Sequence, residues 1–468
     1  MNKTLAIISA LALSVQFLYA REYPVLSSSD TLLVNAFNLA LRTVENNIED
    51  GIIKAGGDYG GEWTRDASIN AWNAGSLVFP QETSRSLWAV TLDGGKTVGH
   101  QYWDKIIWVQ GAFNHCMVTG EDIEPVYRCS AATMKELEDS VFCADRGLFC
   151  GPSVFNDGIA GYEEPIPDSE LAQSGSIKHP NTRHICCLST NCIYYWAYRK
   201  LALMASSCGE PFKALEYRVK ACKLRRAIRK TLYDKEADAL WYLLDHNGDV
   251  HRFQEGLGYS FAILSGVVSR KEAARLAEGV YVSKYGIPSI YPDFKRFDKE
   301  HPGRHNNLVW PFVNAFWADA ALHAGCRDKF EFELRNLADL AVNKGEGMFY
   351  EIYNPNTGLP DGGWQNGVHW GSCRDQTWSA TGYLRMFLTD VFGLSFGRKG
   401  MSVSPDVTLA DNLGCSALSG IKYRQHDVTV RIEPAGNKKK GTYVNGRKVR
   451  QASVPCDGAE SYEIVIYR

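Results

Sequence analysis

Four short stretches of the chain put carboxylates and aromatic rings together in settings that suit sugar chemistry. The first is Gly57-Asp58-Tyr59-Gly60-Gly61-Glu62-Trp63-Thr64-Arg65-Asp66-Ala67. A glycine-rich loop there delivers three side chains to the start of a helix. Asp66 can accept two hydroxyl hydrogens from one sugar, Arg65 donates from a fixed planar fork, and Trp63 offers a flat apolar face. The second, Gly99-His100-Gln101-Tyr102-Trp103-Asp104, repeats the theme ahead of another helix and adds Gln101, Trp103 and Asp104 as candidates. A packing tryptophan and a helix cap are the competing reading of that pair. In the third, Gly151 to Glu164, small residues and apolar neighbours surround Asp157. Such a loop desolvates a carboxyl and raises its pKa, which a proton donor requires. Glu163 and Glu164 lie close enough in sequence to swing into the same cleft and stay open as alternatives. In the fourth, Glu351 stands between Tyr350 and Tyr353 just ahead of the loop Asn354-Pro355-Asn356-Thr357-Gly358. A carboxylate there can hold and deprotonate a water.

Further rings gather at other connections. Trp310 opens a helix after His305-Asn306-Asn307, and Trp364 and Trp378 flank the start of the last long helix. The chain has no phosphate-binding Gly-Lys-Ser/Thr loop, no dinucleotide fingerprint and no Gly-x-Ser-x-Gly elbow. Asp245-His246-Asn247-Gly248-Asp249 lacks the spacing and terminal Glu of a calcium loop and reads as a tight turn.

The elements that must position these residues are mostly helical. Periodicity and caps predict twelve helices between residues 30 and 391, among them 65–78, 104–118, 132–144, 188–206, 309–325 and 374–391. Twelve helices of this size suit six hairpins closed into a ring, each burying its inner face against its neighbours. After Gly400 the pattern changes to short β-branched runs, with Asn445-Gly446 as a hairpin signal. The expected organisation is a signal segment at 1–20, a helical barrel at 21–395 and a small antiparallel β domain at 400–468.

Composition is that of an ordinary globular chain. Of 468 residues, 45% are apolar and 22% charged, which excludes a disordered chain. A net charge of −2 lacks the basic excess of a nucleic-acid binder. Lys3 followed by the apolar run Leu5 to Leu18, with Ala20 as a cleavage position, reads as a secretory signal that directs the chain to the periplasm or outside the cell. No later stretch is apolar enough to span a membrane. The 13 cysteines form no zinc pattern and cannot all pair within one chain. Most read as buried small residues, with Cys143 to Cys150 a feasible bridge.

Taken in order, Trp63-Thr64-Arg65-Asp66, Ser153 to Asp157, Leu188-Ser189-Thr190-Asn191, His305 to Pro311 and Tyr350 to Pro355 resemble the six-hairpin glycosidases. The likeness is to the α-glycosidases of glycoside hydrolase family 63 and the trehalases of family 37, over residues 29–392. It implies an (α/α)6 barrel with a funnel-shaped pocket, an inverting mechanism and no cofactor. The general acid falls on Asp157, the general base on Glu351, and the sugar subsite on Trp63, Arg65 and Asp66. Trehalases set their acid in Ser-Gly-Trp-Asp, whereas this chain reads Val154-Phe155-Asn156-Asp157. Two other functions compete. A sugar epimerase or polysaccharide lyase on a helical barrel would move protons with His305, His369 and Tyr353. A non-catalytic glycan-binding protein would keep the rings without the acids.

Overall fold

The computed structural model describes residues 22–60, 63–99, 103–163 and 174–468. Six of its helices are buried nearly all round. They are α2 (Thr64–Asn70, continuing to Val78), α4 (Trp108–Thr119), α6 (Leu188–Ser207), α8 (Gly256–Ser265), α10 (Pro311–His323) and α12 (Thr377–Arg385, continuing to Val391). In α8 nine of the ten residues are buried. A helix without a polar face belongs in an interior. Each of the six packs on the next in chain order, and α12 closes the ring against α2.

Six amphipathic helices surround that ring: α1 (Thr31–Asn46), α3 (Pro80–Ala89), α5 (Ile123–Val141), α7 (Pro211–Leu232), α9 (Arg270–Gly279) and α11 (Arg327–Asp339). In α1 the buried residues Leu33, Phe37, Ala40, Leu41 and Val44 recur at helical spacing, and Asp30 caps the helix by accepting from Leu32 N at 3.0 Å. The twelve expected helices and the (α/α)6 barrel are thus present. One boundary differs widely: α5 begins at Ile123, not 132. Asp122 caps it, accepting from Glu124 N, and Pro125 stands in the first turn, where its missing N–H breaks no helical bond. The expected helix 65–78 is interrupted at Ala71–Gly75, where Asn114 Nδ2 donates to the Ala71 carbonyl at 2.9 Å and draws it out of the ladder.

Where α2 and α4 cross, a Cβ on Gly111 would lie 2.4 Å from the Ser68 carbonyl oxygen. Both atoms belong to backbone, so neither can swing aside. Gly111→Ala is expected to cost about 1–3 kcal/mol of stability, typical of overpacking. Denaturant unfolding measures it, and an unchanged midpoint would contradict the close crossing.

The C-terminal part forms a six-stranded and a three-stranded sheet. The larger takes β1 (Val25–Ser28), then β4 (Cys415–Tyr423), β5 (His426–Glu433), β9 (Ser461–Tyr467), β6 (Gly441–Val444) and β7 (Arg447–Val449) in that spatial order. The smaller pairs β2 (Leu394–Gly397), β3 (Gly400–Val403) and β8 (Ala452–Pro455). In β5, Val428, Val430 and Ile432 alternate inward. The predicted hairpin is β6–β7, turning on Asn445 (φ 47°) and Gly446 (φ 76°). The expectation of an antiparallel sheet is corrected for one pair: β5 and β9 run parallel. Between them the chain makes the β6–β7 hairpin and crosses into the second sheet as β8, the long crossover that parallel pairing requires. The edge strand β1 comes from the N-terminal side of the barrel helices. One apolar cluster joins Leu33, Phe37 and Phe387 to Met401, Val430 and Ile464, so the sheets share a core with α1 and α12.

Candidate active site

The segments that lead into four of the inner helices, α2, α6, α10 and α12, line a single cavity. Helix N-termini leave unpaired N–H groups and a positive potential there, which favours carboxylates. Arg65 and Asp66 come from the first turn of α2, and Asp157 from the loop before α6. Arg304, His305 and Trp310 come from the loop before α10, and Gln376 and Trp378 from the start of α12. Glu351 arrives on the loop after α11.

Two ion pairs divide the cavity. Asp157 Oδ2 accepts from Arg65 Nη2 at 2.8 Å, and its other oxygen lies 3.6 Å from His305 Nε2. The Asp157 side chain is 41% exposed, opening into the cavity. Glu351 Oε2 accepts from Arg304 Nη2 at 2.8 Å and from the Tyr59 hydroxyl at 3.3 Å; its side chain is only 6% exposed. Arg304 also donates to the carbonyls of Gly362 and Gly371 and lies over the rings of Trp310 and Trp370. It therefore has little freedom to leave Glu351.

The electrostatics of the cavity reverse one expectation. Burial alone would raise the Asp157 pKa, as its loop sequence suggests. Arg65, by its charge and its hydrogen bond, outweighs that, and the carboxyl is held below its ordinary value. Glu351 is raised, because its burial exceeds the pull of Arg304. Asp66, enclosed beside Glu351 and only weakly bonded to Gln376 Nε2 at 3.4 Å, is pushed up to about 7 by burial. His305 is pushed down to about 3 by burial, so its ring, stacked on Trp310, stays neutral near pH 7.

The Asp157 loop is held from several sides. Phe155 adopts φ 60°, a conformation that bulky residues avoid, and its ring is clamped between Trp310 and Phe312. Its N–H donates to Asp104 Oδ2 at 3.2 Å, and Val154 N–H donates to Ser189 Oγ at 3.1 Å. Asp104 is fully buried and also meets Arg65 Nη1 at 3.4 Å.

Of the expected residues, Trp63, Arg65, Asp66, Asp157, Trp310, Glu351 and Trp378 line the cavity. Asp104 sits behind them as the support of Arg65 and the Asp157 loop. Trp103 is buried, packs against Gly151 and donates to the Ser153 carbonyl at 3.2 Å, so it shapes the loop from outside the cavity. Trp364 lies away from the lining, between His301 and His369. Glu163 pairs with His251 at 3.0 Å and is turned away from the cavity. Gln101 and Glu164 lie outside the described residues. Arg304 and Tyr59 were not singled out by sequence. Arg304 stands one residue before the His305 to Pro311 stretch, and only its burial beside Glu351 marks it. The Cys143–Cys150 bridge is not formed: the short hairpin sets Cys143 opposite Leu148, and Cys150 turns toward Cys186. Asp245 to Asp249 makes the expected tight turn, Asp245 accepting from Gly248 and Asp249 N–H. A wider groove between α5 and α7 is lined by ion pairs such as Lys220–Glu138.

Residues 166–379 match the family model described as the mannosylglycerate hydrolase MGH1-like glycoside hydrolase domain. That stretch carries Glu351, and Asp157 lies just upstream of it. No curated protein matches in sequence. Among solved structures, the family 63 mannosylglycerate hydrolase of Thermus thermophilus in complex with glucose has a TM-score of 0.57 at 15% identity, over 75% of this chain and 99% of its own. The family 78 rhamnosidase of Bacillus sp. GL1 has a TM-score of 0.61 at 15% identity, over 88% of this chain and 42% of its own. The rhamnosidase of Klebsiella oxytoca with rhamnose bound has a TM-score of 0.56 at 14% identity, over 79% of this chain and 66% of its own. The chain thus spans less than half of the Bacillus enzyme and nearly all of the Thermus one. The closed ring of hairpins is thus the fold of these solved glycosidases, and over residues 166–379 the chain is similar to the MGH1-like glycoside hydrolase domain.

Proposed function

We propose that the chain hydrolyses an α-glycosidic bond of a small glucoside or mannoside with inversion of the anomeric centre. One observation carries this reading: Asp157 and Glu351, from loops far apart in sequence, face one cavity whose walls include Trp63, Trp310 and Trp378. The more open carboxyl, Asp157, reaches the leaving oxygen on the solvent side and gives it a proton. Glu351, enclosed and oriented by Arg304 and Tyr59, takes a proton from the attacking water on the opposite face of the ring. Asp66 and Arg65 bind sugar hydroxyls. The name of the Thermus relative, a mannosylglycerate hydrolase, supports a substrate of one or two residues.

Donation by Asp157 requires its pKa to rise from the value that the protein alone sets. A bound sugar supplies both changes needed, since it expels water from the carboxyl and competes for Arg65. A second reading exchanges the roles. It is favoured by the protein's own burial and charges, which raise the Glu351 pKa and lower that of Asp157.

The test is a panel of aryl α-glucosides, α-mannosides and α-rhamnosides and of small α-linked disaccharides, followed by proton NMR. The expected first product is the β anomer of the released sugar. A first-formed α anomer would mean retention. An unsaturated product or an epimer without a new reducing end would favour the lyase or epimerase reading, and binding without turnover the glycan-binding one.

Export follows as a separate proposal from the apolar start of the chain. The mature protein is expected in the periplasm or medium with Arg21 as its first residue, checked by N-terminal sequencing.

A further inference from the structure

Two thiols meet at the root of the Asp157 loop. Cys150 follows the hairpin strand Leu148–Phe149, and Cys186 opens the strand that leads into α6. The backbones are already joined there: Gly151 N–H donates to the Ile185 carbonyl at 2.8 Å, and Gly151 and Cys186 form a bridge. The sulfurs lie 3.6 Å apart. A disulfide needs roughly 2.05 Å, so about 1.5 Å must be closed, which a side-chain rotation can provide. Arg146 sits over the pair, its Nη1 3.8 Å from Cys186 Sγ. The same guanidinium is anchored by the carbonyls of His184, Asp245 and His246. Cys186 is fully buried, whereas Cys150 reaches partly to the surface.

We infer that Cys150 and Cys186 form a disulfide under oxidising conditions, tying together the two ends of the segment that carries Asp157. The oxidant is a disulfide of a small thiol, such as oxidised glutathione. The Cys150 thiol passes its proton to the neighbouring Cys186 sulfur as it attacks, and one donor thiolate leaves, so that a mixed disulfide stands on Cys150. Cys186, as thiolate under the Arg146 charge, attacks the Cys150 sulfur and expels the second donor thiolate. The two protons shed by the cysteines end on the two donor thiols. The two electrons reduce the donor disulfide. Access and charge support this order: Cys150 is the sulfur an external disulfide can reach, and the buried Cys186 lies beside the Arg146 guanidinium, which favours its thiolate in the second step. The inference is independent of which sugar the cavity takes.

The experiment uses the full chain, incubated in a glutathione buffer with the oxidised form in excess, then denatured and alkylated. Intact mass should show two alkylatable thiols fewer than in the reduced chain, and peptide mapping should return a Cys150–Cys186 linked fragment. C150S and C186S, under the same conditions, should each lose that fragment. The wild-type mapping decides the matter even if a buried substitution impairs folding. A linked Cys143–Cys150 fragment, a chain-to-chain bridge, a glutathione adduct that persists on Cys150, or an unchanged thiol count would each overturn the proposal.

Discussion

Asp157→Asn is expected to slow hydrolysis of a glycoside with a poor leaving group by about 10²–10⁴-fold, the range that a positioned proton donor contributes. The same variant should lose far less on a glycosyl fluoride or a dinitrophenyl glycoside, because such leaving groups depart without a proton. Glu351→Gln should be slow on both classes. Water still has to be deprotonated whatever leaves, so a good leaving group cannot rescue the loss of the base. Both substitutions nearly conserve size, and the amide oxygen that Asp157→Asn introduces can still accept from Arg65. The comparison therefore reads proton chemistry more than packing. Paired kcat measurements on an alkyl glycoside and the corresponding fluoride settle which carboxyl does what. If Glu351→Gln is the one rescued by the fluoride, the roles are exchanged and the proton distribution set by the protein alone, with Glu351 raised and Asp157 lowered, persists into the working enzyme. If either variant keeps near-normal turnover on the alkyl substrate, that residue is not part of the machinery. The geometric companion of this result is the carboxyl separation in a substrate complex. Inversion needs roughly 6.5–9.5 Å, and a spacing of about 5 Å belongs to retention.

The ring of helices was legible because its signal is periodic and repeated. Leu33, Phe37, Ala40 and Val44 announce an outer helix, and the apolar Leu257 to Ile263 an inner one. Once the helices alternate in this way, their closure brings every second loop to one mouth, and the motifs on those loops become a site. Asp157 and Glu351 could be found from their loops alone. What could not be read is which charge each one meets. Arg65 was visible as a sugar-binding candidate, but its contact with Asp157 joins the first turn of α2 to the loop before α6, and that contact reverses the expected pKa shift. Arg304 carries no local pattern at all; its role exists only where the loops before α10 and after α11 meet. Trp103 illustrates the opposite error. An aromatic residue beside an acid looked like a stacking floor, and it proves to be a wedge behind Gly151, where no larger residue would fit. The parallel pairing of β5 with β9 was likewise hidden, because strand patterns give the face of a strand but not its neighbour.

Arg304→Met tests the least visible member of the site and should have the largest combined effect. The methionine keeps most of the apolar stem but removes the guanidinium that meets Glu351, the Tyr59 hydroxyl and the Gly362 carbonyl. An unpaired buried charge costs about 3–5 kcal/mol, but Glu351 can escape part of that cost by taking up a proton. The sign follows from its pKa, which is already raised and rises further without the arginine. A carboxyl with a raised pKa in the folded state leaves stability intact below its unfolded value, about 4.3, and removes it as pH climbs from there through the folded value. The stability deficit of Arg304→Met should therefore be small near the unfolded pKa and grow toward neutral pH, measured by urea unfolding at several pH values. Activity should follow the opposite course. A base must be ionised, so the variant loses most at acid pH and recovers relative to the wild type as pH rises. Opposed pH trends in stability and relative activity are the signature of a cation that keeps a buried base charged. Arg304→Lys, which restores the charge without the planar fork, should recover part of both. Parallel trends, or a deficit indifferent to pH, would mean that Arg304 serves as packing between Trp310 and Trp370 and that Glu351 draws its charge state from elsewhere.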